Sequence, residues 1–377
     1  MSRHILITGG AGFIGSHLAD ELLDAGHSVR VLDNLSRQVH PEGKPDYLDE
    51  RVEVVEGDVR DAEAVAEALD GIEVVFHLAA AVGVGQSMYE IEHYTSVNDI
   101  GTAVLLEALI ERPVERLVVA SSMSLYGEGL YRTPDGQIRR GGQRSVAQLE
   151  RGDWELTDDE GRILEPLPTP ESKQPELASV YALNKYDQEV MCLIAGRTYD
   201  FEIVALRLFN VYGPRQALSN PYTGVLAIFG SRYSNDKPPL IFEDGRQKRD
   251  FVHVSDVAVA FRLAMQSGQA PGGVFNIGSG RAYTVQQVAR MMGRAMQKEH
   301  IEPTVTGEYR AGDIRHCFAD IARAKDVLGY QPAVDFEEGL AELADWIDEQ
   351  RAEDRVARAH RELSSRGLTL GNPRPRA

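Results

Sequence analysis

Residues 4–33 read His4-Ile-Leu-Ile-Thr-Gly-Gly-Ala-Gly-Phe-Ile-Gly-Ser-His-Leu-Ala-Asp-Glu-Leu-Leu-Asp-Ala-Gly-His-Ser-Val-Arg-Val-Leu-Asp33. An apolar run over 4–8 is followed by Gly9, Gly12 and Gly15, and Ile14, Leu18 and Leu22 then recur at helical spacing. That order predicts a strand, a glycine turn and a helix. Gly26 closes the helix where a left-handed residue is wanted, and residues 28–32 open a second strand that ends on Asp33. Glycines let backbone approach a pyrophosphate, a helix N-terminus offers free N–H groups, and an acidic residue ending the second strand accepts from a ribose 2′-hydroxyl. The stretch predicts a dinucleotide site. Asp33 would repel a 2′-phosphate, which favours NAD over NADP, with Arg37 the one nearby residue pulling the other way.

Working outward, strands are predicted over 52–56, 74–80, 116–121 and 202–209, and helices over 62–69, 98–109 and 182–195. Such alternation implies an α/β fold, a Rossmann-type doubly wound parallel sheet, because parallel strands need crossovers. Past Asn210 the rhythm breaks into shorter pieces punctuated by Gly and Pro. The expected organisation is a dinucleotide-binding domain over 1–210, a smaller substrate-binding region over 211–350 with some segments returning to the large domain, and a C-terminal helix and tail over 351–377. Residues 128–172 are too long for a plain connection. They carry two turn signals, Pro134-Asp-Gly and Asp159-Glu-Gly, and are expected to form an insertion that packs on the domain or on another subunit.

The chain has 377 residues, 43% of them hydrophobic, enough for a large core. Its net charge of −18 argues against nucleic acid as a partner. Only Cys192 and Cys317 occur, in no metal-ligand or redox spacing, so no metal is expected and a reducing cytoplasm fits. The first strand starts at residue 4 and no apolar run approaches a membrane span, so a cytoplasmic protein without a membrane anchor is expected.

Tyr181-Ala-Leu-Asn-Lys185 carries the chemistry. On one helix, residues four apart share a face, so phenol and ammonium are expected to point together into the cleft. A free tyrosine, with a pKa near ~10, is a poor base at neutral pH, and a neighbouring cation together with a positive nicotinamide would favour its phenolate. Strand 116–120 runs into Ser121-Ser-Met-Ser-Leu-Tyr126-Gly, which presents a hydroxyl residue four positions before a Tyr-Gly pair.

These motifs resemble the short-chain dehydrogenase/reductase superfamily, in particular its extended, nucleotide-sugar-modifying branch, over roughly residues 2 to 345. The resemblance implies Ser122, Tyr181 and Lys185 as catalytic residues. For the cofactor, NAD, it implies Gly9, Gly12, Phe13, Ile14 and Gly15 in the turn, with Asp33 and Asn34 after the second strand. It adds Asp58 and Val59 at the adenine, Leu78, Ala79 and Ala80 after His77, and Asn98 bracing the site. For a nucleotide-diphosphate sugar it implies Val82, Met123, Ser124, Asn210, Arg249, Arg310 and Asp313, with Arg315 completing the set. A homodimer through the catalytic helix is implied as well.

The residues after Ser122 choose among reactions. Dehydratases of the branch place Asp and Glu there, and decarboxylases usually place Glu at the second position; Met123 and Ser124 can do neither job. A 4-epimerase needs only the base, the shuttle, tightly held NAD and room for the sugar to turn. The pattern is most similar to dTDP-L-rhamnose 4-epimerase-like members. UDP-hexose or UDP-uronate 4-epimerases are the alternative, ahead of a dehydratase or a non-catalytic NAD-binding sensor.

Overall fold

The computed structural model describes residues 2–199, 201–218, 224–310, 312–350 and 356–370. Seven parallel strands form its centre: β1 (His4–Thr8), β2 (Ser28–Asp33), β3 (Glu53–Glu56), β4 (Val74–His77), β5 (Arg116–Ser122), β6 (Glu202–Leu208) and β7 (Val274–Ile277). Their order across the sheet is β3-β2-β1-β4-β5-β6-β7. Ile5, Leu6 and Ile7 are all fully buried. A strand covered on both faces reads as a continuous apolar run, and each such side chain contributes about 1.5–3 kcal/mol.

Helices supply the cover. α1 (Phe13–Asp24) lays Leu18 and Leu22 on one face and packs beside α5 (Val254–Gln266), whose Phe261 meets Phe76 edge-on. α2 (Ala62–Ala68), α3 (Gly101–Glu111) and α4 (Val180–Tyr199) cover the other face through Val65, Leu105, Leu109 and Cys192. α5 and β7 both lie beyond residue 210, so the chain returns to the large sheet after leaving it. Gly26, at φ +84°, takes the left-handed conformation that stops α1.

The remaining C-terminal residues build a second lobe. Helices Val225–Ser234, Val285–Ala295 and Phe336–Glu349 surround Phe229, Tyr233, Met292, Leu343 and Ile347. Helix Val356–Ser365 follows, and Leu370 exchanges backbone hydrogen bonds with Tyr309. The segments 351–355 and 371–377 of the expected tail lie outside the described residues.

The insertion is a small folded unit. Strands Leu130–Arg132, Ile138–Arg140 and Glu165–Leu167 form an antiparallel sheet over a core of Tyr131, Leu156 and Leu164. Both turn signals are tight turns, with Gly136 and Gly161 at φ +86° and +78°. The unit packs on its own chain, where Thr169 N–H donates to the Phe318 carbonyl at 2.8 Å. Among the described residues, no helix is long and apolar enough to cross a membrane.

Candidate active site

In an open parallel sheet a ligand crevice forms at the carboxyl ends of the strands where the order reverses, here between β1 and β4. The glycine turn sits there. Gly9 has φ +70°, and a Cβ on it would come within 2.8 Å of the Ala79 backbone. A Cβ on Gly15 would lie 2.5 Å from Gly10 Cα. Gly12 is different: its Cβ would meet only the Gly9 carbonyl, at 3.3 Å, and otherwise enter the cleft. Gly12 also caps α1 without a side-chain hydrogen bond, so the first N–H groups of α1 remain available. Asp33 accepts from Ala11 N–H at 3.1 Å and Leu35 N–H at 2.9 Å, which ties the end of β2 to the turn.

The cleft holds about 400 Å³. The predicted Gly9, Gly12, Phe13, Ile14 and Gly15 line it at the turn, and Asp33, Asn34 and Val59 beyond the ends of β2 and β3. Leu78, Ala79, Ala80 and Val82 line the wall after β4, and Ser122, Tyr181 and Lys185 complete it. Glycines that a Cβ would obstruct, an uncapped helix start and an acceptor at the end of β2 fit a dinucleotide. Asp58 is not on the lining: it is paired with Arg60 at 2.7 Å and accepts from Asn34 at 3.1 Å. Asn98 is also behind the wall. It is fully buried and clasps both backbone groups of Ala81, at 2.8 and 3.1 Å, from a π-helical turn over Ser96–Ile100. Phe209, which ends the strand read over 202–209, lines the cleft as well, as do Val39, His40 and Gln216, which no local motif marked.

The Ser122 hydroxyl favours ionisation of the Tyr181 phenol, while Ser122 Oγ accepts from Ser124 N–H at 3.1 Å. Lys185 Nζ donates to the Ala120 carbonyl at 2.8 Å and to Gln188 at 2.9 Å. Burial pushes the Tyr181 phenol up to about 12 and the Lys185 ammonium down to about 8. In the protein alone desolvation keeps the phenol protonated, and Lys185 is only one of the two positive charges expected to favour its phenolate, the nicotinamide being the other. His77 is a structural residue: its ring bridges Thr8 at 2.7 Å and Thr102 at 2.9 Å, and burial takes it down to about 3, so it is neutral.

Behind the site, Glu189 binds Ser121 at 2.6 Å and Arg207 at 2.6 Å, both from strand ends. Ser87 Oγ accepts from Tyr181 N–H at 3.0 Å, capping α4 from 94 residues away in the chain. Neither contact has a local sequence signal.

The residues predicted for substrate are spread wider. Met123 and Ser124 are buried beside Ser122, and Ser124 Oγ and Asn210 Oδ1 have no hydrogen-bond partner. Arg249 donates to the carbonyls of Lys248 at 2.9 Å and Arg315 at 3.0 Å. The Arg310 guanidinium lies 4.6 Å over the Phe242 ring, and Asp313 follows on the same loop. Arg315, read as a member of this set, is instead fully buried among Glu155, Glu243 and Asp244. An arginine whose two terminal nitrogens are held by three carboxylates is not free to hold phosphate.

The profile of the NAD dependent epimerase/dehydratase family matches residues 5–143 and 161–278. A dTDP-L-rhamnose 4-epimerase of Burkholderia thailandensis is 37% identical over 354 residues, 92% of this chain and 96% of that protein. The fold is similar to the UDP-glucose 4-epimerase of Thermotoga maritima solved with UDP-glucose, with TM-score 0.74, 34% identity, and coverage of 92% of this chain and 99% of that one. It is also similar to the UDP-glucuronic acid 4-epimerase of Bacillus cereus solved with UDP-glucuronic acid and NAD, with TM-score 0.75, 27% identity and the same coverage.

Proposed function

The chain belongs to the NAD dependent epimerase/dehydratase family, and on that premise we propose that it inverts C4 of a nucleotide-diphosphate sugar, a dTDP-6-deoxyhexose such as dTDP-L-rhamnose, through a transient 4-keto sugar. The observation that carries the reaction type is the composition of the cleft. Among the described residues that line it, the one carboxylate is Asp33, three strand spacings from the end of β5. At ~4.8 Å per spacing that is roughly 14 Å from Ser122, too far to protonate a leaving group there. Dehydration needs such an acid beside the base; epimerisation does not.

NAD, the cofactor, supplies a hydride acceptor and a positively charged ring when bound. The protein's part is proton traffic and grip. Tyr181 takes the 4-hydroxyl proton, Ser122 relays or orients it, and Lys185, anchored on Ala120 and Gln188, fixes the helix face and reaches the nicotinamide ribose. Arg249, Arg310 and Asp313 hold the nucleotide end, so binding energy sits away from a sugar that must turn over between the two half-reactions. Exposed Val82 beside Gly83 and Gly85 gives the sugar end an apolar surface suited to a 6-deoxy group.

The UDP-sugar neighbours support a second reading, a UDP-hexose or UDP-uronate 4-epimerase. Incubating the purified protein with dTDP- and UDP-sugars and separating the products distinguishes them: the first reading expects turnover of dTDP-L-rhamnose or a related dTDP-6-deoxyhexose, and turnover of UDP-sugars alone sinks it. We further infer a homodimer, since Ile100, Leu183 and Ile194 leave about half of their surface exposed on adjoining helices (53%, 43% and 50%). Two buried, unpaired cysteines support a cytoplasmic setting.

A further inference from the structure

The family profile stops at residue 143 and resumes at 161, and it ends at 278. Two unmatched stretches, 144–160 and the residues around 309–316, meet in space. Arg144 donates to the Asp313 carbonyl at 2.9 Å and to the Trp154 carbonyl at 3.2 Å. The Trp154 ring packs at 6.1 Å on Tyr309. Glu155 pairs with Arg315 at 2.5 Å and with His316 at 3.1 Å. Just upstream, Glu128 accepts from the backbone N–H groups of both Arg315 and His316. Arg249 reaches the same loop from its other side, through the Ile314 and Arg315 carbonyls.

We propose that the insertion is a clamp that positions the substrate-recognition loop, with Arg144 and Glu155 as positioning residues for the nucleotide-diphosphate end of the substrate. This rests on the nucleotide-sugar reading, since Arg249, Arg310 and Asp313 all belong to or touch the clamped loop.

Energetics separate this role from plain stabilisation. A buried ion pair returns little net stability over an apolar replacement of similar volume, because desolvation offsets the attraction, whereas its hydrogen bonds allow only one geometry. Here the grip consists of buried charges: the Arg144 and Glu243 side chains are 2% and 1% exposed and 2.8 Å apart. Glu243 also pairs with Arg315 at 2.9 Å, so replacing Arg144 does not leave that carboxylate alone. The clamp can be loosened without being emptied of charge balance.

The test uses the full chain with its NAD. UDP and dTDP are titrated calorimetrically into wild type, Arg144→Met, Arg144→Lys and Glu155→Gln, and kcat and KM are measured on the sugar that turns over. Arg144→Met is expected to weaken the nucleotide probe and raise KM by about ten- to hundredfold, the range for a recognition group displaced by about an ångström. Its kcat and bound NAD should stay near wild type, with Arg144→Lys recovering part of the loss. Glu155→Gln keeps its shape and loses only charge, and carries the same test where Arg144→Met fails to retain NAD. Unchanged nucleotide affinity in a variant that keeps its NAD overturns the clamp, as does a fall in kcat and NAD content at constant KM. Wild type that binds neither UDP nor dTDP removes the nucleotide-sugar reading, and the clamp's ligand with it.

Discussion

Tyr181 is where burial and function pull in opposite directions. With its phenol raised to about 12, it carries its proton across the neutral range until a positive charge enters the cleft. Stripped of dinucleotide, the protein should show no Tyr181 ionisation near pH 7 in an ultraviolet difference titration against Tyr181→Phe; an ionisation there would mean that Ser122 and Lys185 suffice. The proton-accepting oxygen is all that Tyr181→Phe removes. NAD content should persist while kcat falls about 10²–10⁴-fold, the usual weight of a general base, and a variant with wild-type turnover would put the base elsewhere. These residues were legible because Tyr181 and Lys185 lie four apart and Ser122 closes a strand. Arg315 was misread for the complementary reason: an arginine that holds phosphate and one sunk among carboxylates look alike until Glu155, Glu243 and Asp244 are brought to it.

The strand, glycine turn and helix of residues 4–33 are read correctly because every determinant is local: an apolar run, a left-handed glycine and a 3.6-residue stripe. The start of α4 is held differently. Ser87 Oγ takes the Tyr181 N–H and donates to the Val84 carbonyl at 2.7 Å, so a single helical turn, Val84–Ser87, nearly a hundred residues earlier fixes where the catalytic helix begins. Nothing near Tyr181 could announce it. Ser87→Ala should cost about 1 kcal/mol, as a lost cap does, and lower kcat more than it raises KM. Thermal unfolding together with steady-state kinetics checks this, and unchanged kcat would show that α4 needs no such anchor. The π-helical turn that aims Asn98 at Ala81 was equally hidden, since the sequence reading began that helix at residue 98 whereas helical structure begins at Ile91.

That β1 to β6 lie parallel follows from their alternation with helices, whereas their order across the sheet was not legible and the return of later segments to it was expected only in outline. Their apolar faces match a partner surface that no short window contains. The outward-facing Ile100, Leu183 and Ile194 predict an isologous dimer. Sedimentation should give twice the chain mass at micromolar concentration, and Leu183→Glu with Ile194→Glu should give the monomer; a wild-type monomer would contradict it. The proposed reaction makes one central claim, that the hydrogen at C4 leaves and returns as hydride in the cleft while Tyr181 exchanges only the hydroxyl proton. Substrate labelled with deuterium at C4, turned over in ordinary water and examined by NMR, measures this directly. Full retention of the label at C4 of the product is the predicted result, and its loss to solvent would show deprotonation beside a carbonyl and contradict the hydride mechanism.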